Sequence, residues 1–247
     1  MKFVKAHAFG NDFLLLDEST LPSGVERAVL TRKLCDRHRG VGADGLISYA
    51  DGPRGTRMSL LNADGSYSEV SGNGVRCLAA WLARMRSAQP GDTLDVETDA
   101  GVKTLELLSQ HGQRVTFRAA MGRPEQVEQR TIEVDGATVT AVTLRVGNPQ
   151  CVVLGEVTLE RLHGLAGKLA VHPAFPQGTN VELATVERPD RVRILIWERG
   201  VGPTEASGTG ACAAAVAAIA FGGAAREVDV VSPGGSQRVE WTDHGLF

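Results

Sequence analysis

The chain has 247 residues, 43% hydrophobic and 22% charged, with 26 Lys and Arg against 29 Asp and Glu and a formal net charge of −3. That length accommodates one large domain or two of roughly 120 residues with their own cores. The charge balance offers no basic surface for nucleic acid or an anionic membrane. The longest apolar stretch, Ala211 to Ala225, is too short to span a bilayer.

The opening segment MKFVKAHAFGNDF lacks the apolar centre of a secretory signal, which predicts a soluble cytoplasmic protein. FVKAHAFGNDFLLLDE alternates around Gly10-Asn11 and predicts two short strands. GVERAVLTRKLCDRH places Val29, Leu30 and Leu34 at helical spacing. LISYA, RMSLLN, TLDVETDA, VKTLELLS and RVTFRAA read as strands, and TIEVDGATVTAVTLRVG and CVVLGEV as strands and hairpins. Cys35, Cys77, Cys151 and Cys212 form no CxxC pair, so reduced, mostly buried thiols are expected. The six histidines do not cluster at ligand spacing, which predicts no metal site.

Two stretches repeat. EVSGNGVRCLAAWLA at 69–83 and EASGTGACAAAVAA at 205–218 both run from an acidic residue through Ser-Gly-x-Gly into an Ala-rich run. Other landmarks recur in the same order: Gly10-Asn11 with Gly147-Asn148, GADGLI at 42–47 with GTNVEL at 178–183, and Asn62 with Glu198. A duplicated domain follows. The seam is placed near Gly122-Arg123-Pro124-Glu125, giving halves 1–121 and 122–247. The expected class is α/β (α+β mixed sheets), each half a mixed β-sheet rolled around a central helix. Each Ala-rich helix is apolar nearly all round, and so suited to burial.

Ser71 and Ser207 stand just before these helices, where serine is among the best N-caps. Capping does not require the glycines that follow, which cost helix stability. Gly72, Gly74, Gly208 and Gly210 leave the first turn without bulk. Exposed N–H groups and the positive end of the dipole there suit a carboxylate or phosphate. GVGADG at 40–45 matches a dinucleotide fingerprint, but it follows a helix and opens a strand, the wrong context.

HAFGNDF, GVGADG, NADGS, SGNGVRC, VGNPQCV, TNVE and WERGVGPTEASGTGACA together resemble the signatures of the diaminopimelate epimerase family, in the same order, from about residue 3 to about residue 235. The resemblance implies two related halves with the active site in the cleft between them, and no cofactor. It implies a small-molecule amino-acid substrate, no nucleic-acid or membrane partner, and allows a homodimer. In the family two cysteines flank the substrate α-carbon; one thiolate takes the α-proton and the other thiol protonates the opposite face. Those positions match Ser71 and Ser207 here, and the family's catalytic histidine matches Gln150. Glu198 is the remaining matched carboxylate. Asn11, Asn62, Asn148, Asn180 and Arg199 match substrate-holding positions, with backbone N–H groups at Gly72, Asn73, Gly208 and Thr209 for the reacting carboxylate. The chain stops at Phe247, short of the closing strand that the family usually carries.

A serine hydroxyl is a far weaker acid than a thiol and needs an adjacent base. Cys77 and Cys212 lie about 9 and about 7.5 Å further along their helices, at 1.5 Å per residue, where packing in the core is expected. Three readings stay open: serines engineered to trap a complex, a divergent enzyme working with one base (for example a dehydratase of a hydroxy amino acid), and an amino-acid-binding protein. Engineering of the serines leaves Gln150 unexplained.

Overall fold

The computed structural model describes residues 2–21 and 24–247. The chain divides into two compact units, Met1–Ala120 and Met121–Phe247.

The first unit contains β1 (Val4–Ala8), β2 (Asn11–Asp17), α1 (Arg27–Cys35), β3 (Gly45–Gly52), β4 (Gly55–Asn62), β5 (Tyr67–Ser68), α2 (Gly72–Met85), β6 (Thr93–Thr98), β7 (Gly101–His111) and β8 (Arg114–Ala119). Its sheet runs β1-β2-β3-β4-β6-β7-β8, with β5 beside β4. The β2–β3 and β4–β6 pairs are parallel and the others antiparallel.

The second unit begins with β9 (Glu125–Val134). There follow β10 (Ala137–Val146), β11 (Asn148–Leu154), α3 (Leu159–Arg161), a π-helical turn at Leu162–Ala166 and α4 (Gly167–Ala170). It continues with β12 (Asn180–Arg188), β13 (Arg191–Glu198), β14 (Gly202–Thr204), α5 (Gly208–Phe221), β15 (Glu227–Ser232), β16 (Gly235–Thr242) and β17 (Gly245–Leu246). The order β17-β16-β15-β13-β12-β11-β10-β9, with β14 beside β13, repeats the first sheet and adds β9 at one edge. The parallel pairs, β11–β12 and β13–β15, fall at the corresponding places. The chain therefore uses one topology twice.

Each sheet wraps its long helix. Leu78, Ala79, Leu82 and Ala83 of α2 pack with Phe13, Leu15, Ile47, Leu60 and Val96. The α5 residues Ala211 to Ala218 pack with Val142, Val152, Ala184, Ile194 and Val230. Alanine serves both needs of a surrounded helix: high helical propensity and a side chain small enough for strands to approach closely. The two helices differ in enclosure. Ala211 to Ala218 of α5 are all buried, whereas Ala80 and Trp81 of α2 are half-buried and Arg84 is exposed. Only α5 is apolar all round; α2 keeps a polar face.

The outer face of each sheet is covered as well. Leu14, Leu16 and Leu46 cluster with Cys35 of α1. Val153, Val181 and Leu183 cluster with Leu162, Leu169 and Ala170 of the α3–α4 segment. Strands β2, β3, β11 and β12 thus have runs buried on both faces and lose the polar alternation of a half-exposed strand. The GVGADG segment joins the end of α1 to β3. A Cβ on Gly40 would lie 2.2 Å from the Lys33 carbonyl oxygen, so this glycine serves close packing against the helix end. Among the described residues no helix is long and apolar enough to cross a membrane.

Candidate active site

The strand registers make the two units comparable residue by residue. Phe13 pairs with Gly45 across β2–β3, and Gln150 with Asn180 across β11–β12. Gly45 pairs with Asn62, and one step beyond the Val181–Trp197 pair sets Asn180 beside Glu198. Phe13 therefore corresponds to Gln150, Gly45 to Asn180, Ile47 to Glu182, Asn62 to Glu198 and Ser71 to Ser207. Matching GADGLI directly to GTNVEL sets Leu46 opposite Glu182; the strand pairing moves this match by one residue. Strand register decides which face a side chain occupies, so the one-residue change matters.

Both serines are N-caps. Ser71 has an extended backbone (φ −129°, ψ 122°) and its Oγ accepts from the Gly74 N–H at 3.1 Å. Ser207 (φ −140°, ψ 130°) accepts from the Gly210 N–H at 3.2 Å. Val75 and Ala211 donate their N–H groups to the carbonyls of Ser71 and Ser207. Among the described residues, the N–H groups of Gly72, Asn73, Gly208 and Thr209 find no protein acceptor. A Cβ on Gly72 would meet nothing within 4 Å, so that first turn is open.

The surroundings of the two caps differ. In the first unit, Asn11 Nδ2 donates to Asp44 at 2.8 Å, and Asn11 Oδ1 accepts from Asn73 at 3.3 Å. Arg76 donates to Asn73 Oδ1 and lies over the Phe9 ring, 5.0 Å from its centroid. Beneath them Asp12 accepts from Arg37 at 2.8 Å, pairs with Lys5 at 3.0 Å, and takes the Asp44 N–H at 3.0 Å. Burial opposes ionisation of Asp12, but these hydrogen bonds and the Arg37 charge outweigh it and hold the carboxyl at about 2. Asn62 lies at the end of β4 and donates to Ser66 Oγ at 3.0 Å.

In the second unit the cap faces a polar row. Gln150 Nε2 donates to Asn148 Oδ1 at 2.6 Å, and Asn180 Oδ1 accepts from the Arg199 N–H at 2.9 Å. Arg199 also donates to the Gln177 carbonyl at 2.6 Å. The Ser207 hydroxyl donates to the Glu198 carboxylate; burial raises the affinity of Glu198 for a proton, and this hydrogen bond opposes the rise. Thr209 Oγ1 lies 3.5 Å from Ser207 Oγ.

Of the residues singled out from the sequence, Asn11 and Asn73 are brought into contact in the first unit, near the Ser71 cap. Asn148, Gln150, Asn180, Glu198 and Ser207 form one group in the second. Cys77 and Cys212 are buried in the cores behind the caps. Burial pushes the Cys77 thiol up to about 12, so it makes no useful thiolate.

Sequence reading missed Glu182. It is fully buried on the α5 face of β12, and neither carboxyl oxygen has a hydrogen-bond partner among the described residues. Its signal was a charged residue inside the apolar run VELATV. Asp12 and Asp44, the supports of Asn11, were also missed, although GND and GADG were both noted as motifs.

This architecture, one mixed-sheet topology used twice around capped helices, is a fold shared with several solved structures. A hydroxyproline epimerase from Agrobacterium vitis shares the fold at TM-score 0.67 and 15% identity, over 97% of this chain and 82% of that one. A PhzF-family phenazine biosynthesis protein from Bacillus anthracis shares it at TM-score 0.69 and 14% identity, over 100% and 94%. The sequence profile of the diaminopimelate epimerase family matches residues 3–127 and 142–246. A diaminopimelate epimerase from Desulforudis audaxviator is 42% identical over 98% of this chain and 92% of its own length. One from Nostoc punctiforme is 38% identical with the same coverage. The chain belongs to the diaminopimelate epimerase family, whose members are isomerases.

Proposed function

We propose that this protein is a cofactor-independent amino-acid epimerase that interconverts LL- and meso-diaminopimelate, in the cytoplasmic route to lysine and peptidoglycan. Ser71 and Ser207 take the acid/base positions. The observation that carries this reading is the placement of the two serines: each caps the glycine-lined start of the central helix at the same point of a repeated topology.

The chemistry follows from the groups present. The N–H groups of Gly72, Asn73, Gly208 and Thr209 hold the reacting carboxylate, where carbanion charge accumulates. Asn62, Asn148, Asn180 and Arg199 hold the distal amino-acid head, and Asn11 and Gln150 border the substrate. Ser207 Oγ takes the α-proton while passing its own proton to Glu198. The C–H electron pair stays on the α-carbon and spreads onto the carboxylate. The Ser71 hydroxyl gives its proton to the opposite face, and a C–H bond forms with inverted configuration. Exchange with solvent removes the proton from Glu198 and returns one to Ser71. Serine is a poorer acid/base than cysteine, so turnover is slower than at a two-thiol site.

One observation favours a second reading. The Ser207 hydroxyl has a carboxylate partner, whereas the Ser71 hydroxyl takes part only in its cap bond among the described residues. A one-sided base suits loss of water from a hydroxy amino acid, which needs no reprotonation of the opposite face. Chiral chromatography after incubation with pure LL-diaminopimelate separates the two. The epimerase yields the meso isomer; absence of meso product, with keto acid released from a hydroxy amino acid, overturns it in favour of the dehydratase.

A further inference from the structure

Glu182 is the feature that the fold does not need. The first unit builds the same strand, helix and close approach with a hydrocarbon at this place: a Cβ on Gly74 would lie 3.0 Å from Ile47 Cδ1. In the second unit a Cβ on Gly210 would lie 2.7 Å from Glu182 Oε1. The carboxyl thus reaches the first turn of α5, against the residue whose N–H Ser207 caps. An unpaired carboxylate in such a place is costly, and an apolar side chain performs the packing role without that cost.

The groups around it point to a neutral acid. From β13, Glu198 acts on it as a like charge; from β11, the Cys151 thiol lies within electrostatic range; from α5, Ser207 caps the adjoining turn. No basic side chain acts on Glu182 among the described residues. Burial first, and the Glu198 charge second, raise its proton affinity well above that of an ordinary carboxyl. Gln150 Oε1, 1% exposed and on the same face of the sheet, also has no partner among the described residues. A protonated Glu182 has a donor to offer, and Gln150 Oε1 and Glu198 are the acceptors nearest in register.

We infer that Glu182 is a positioning residue, which holds a proton while Glu198 stays ionised, so that the two carry one negative charge between them and Glu198 presents it to the Ser207 hydroxyl. Two carboxyls in a dry site do not both ionise. The proton is retained by the member without a hydroxyl donor, Glu182, leaving Glu198 as acceptor for Ser207. The role in proton transfer rests on the proposed epimerase reading; the proton held by Glu182 does not.

Infrared spectroscopy of the full chain at neutral pH, without substrate, tests for that proton. A protonated-carboxyl C=O stretch is expected, absent from Glu182→Gln, and retained but shifted in Glu198→Gln. No such band in the parent, a band surviving in Glu182→Gln, or an unshifted band in Glu198→Gln overturns the proposal. The role is tested by the pH profile of α-deuterium exchange from solvent into diaminopimelate. The parent loses exchange at alkaline pH as the Glu182 proton leaves, and Glu182→Gln loses that alkaline limb. An unchanged profile, with only stability altered, leaves Glu182 merely structural and overturns it. Because the infrared reading needs no turnover, a correct band with no exchange from any variant overturns the epimerase reading alone.

Discussion

The Ser207 hydroxyl donates to Glu198, and at the corresponding place in the first unit Ser71 has Asn62 in the position of that carboxylate. The same helix start is thus built twice with unequal chemistry. The unit holding Ser207 carries Gln150, Glu182 and Glu198 where the other carries Phe13, Ile47 and Asn62. The cap in the second unit therefore has a carboxylate beside it, where the cap in the first has an amide.

The two caps are expected to differ in strength. Ser71→Ala loses one cap, about 1 kcal/mol. Ser207→Ala also removes the hydroxyl that supports a half-buried carboxylate, for a total of about 2–3 kcal/mol. Urea unfolding of both variants measures the difference; equal losses contradict the Ser207–Glu198 bond.

Gly210 is expected to be coupled to Glu182. A Cβ there would lie 2.7 Å from Glu182 Oε1, inside contact distance and against a carboxyl fully buried in the protein. Gly210→Ala therefore loses about 1–3 kcal/mol despite alanine's better helical propensity. In a double-mutant cycle Glu182→Ala restores most of that loss. Strict additivity of the two changes contradicts the contact.

Glu182 also predicts a pH dependence. Its proton affinity is raised in the folded chain, so the stabilisation is complete below the unfolded value, 4.5, and is lost as pH rises through the raised folded value. Within that window the slope approaches about 1.4 kcal/mol per pH unit for one proton. Unfolding of Glu182→Gln followed across the same range shows most of the slope removed; an unaltered slope contradicts the buried neutral acid.

Asp12 works in the opposite sense. Its folded value is lowered from 3.8 to about 2, so its stabilisation is present above 3.8 and lost as pH falls through about 2. The contribution is about 2 kcal/mol. Asp12→Asn removes this acid-linked loss and loosens Asp44 and Asn11 with it, which acid titration of the unfolding midpoint detects. Identical acid titrations of parent and variant contradict the network.

Much of this was legible in the sequence because local patterns carry it. The Ser-Gly-x-Gly repeat marked both helix starts, the Gly-Asn turns marked the β1–β2 and β10–β11 hairpins, and the Ala-rich run of α5 read as a surrounded helix. Glu182 was not legible because β12 is covered on both faces. In NVELATVER, Val181 and Leu183 face the α3–α4 segment, while Asn180, Glu182 and Ala184 face α5. A lone glutamate among apolar residues looks like a solvent position unless both coverings are known. The match of Ile47 to Glu182 needed the strand register, which motif spacing misplaced by one residue. The amphipathic side of α2 was lost for a similar reason: Trp81 reads as core, yet its Nε1 donates to Tyr49 at 2.8 Å from a half-buried position.

The most direct test of the account is solvent-deuterium incorporation at the α-carbon of LL- and meso-diaminopimelate by this chain and by Ser71→Cys/Ser207→Cys. The account predicts slow incorporation by the parent and at least about a hundredfold faster incorporation by the double variant, since a thiol is a far better acid/base in the same helix start. No incorporation by either protein contradicts the claim that the two capped helix starts address a diaminopimelate α-carbon.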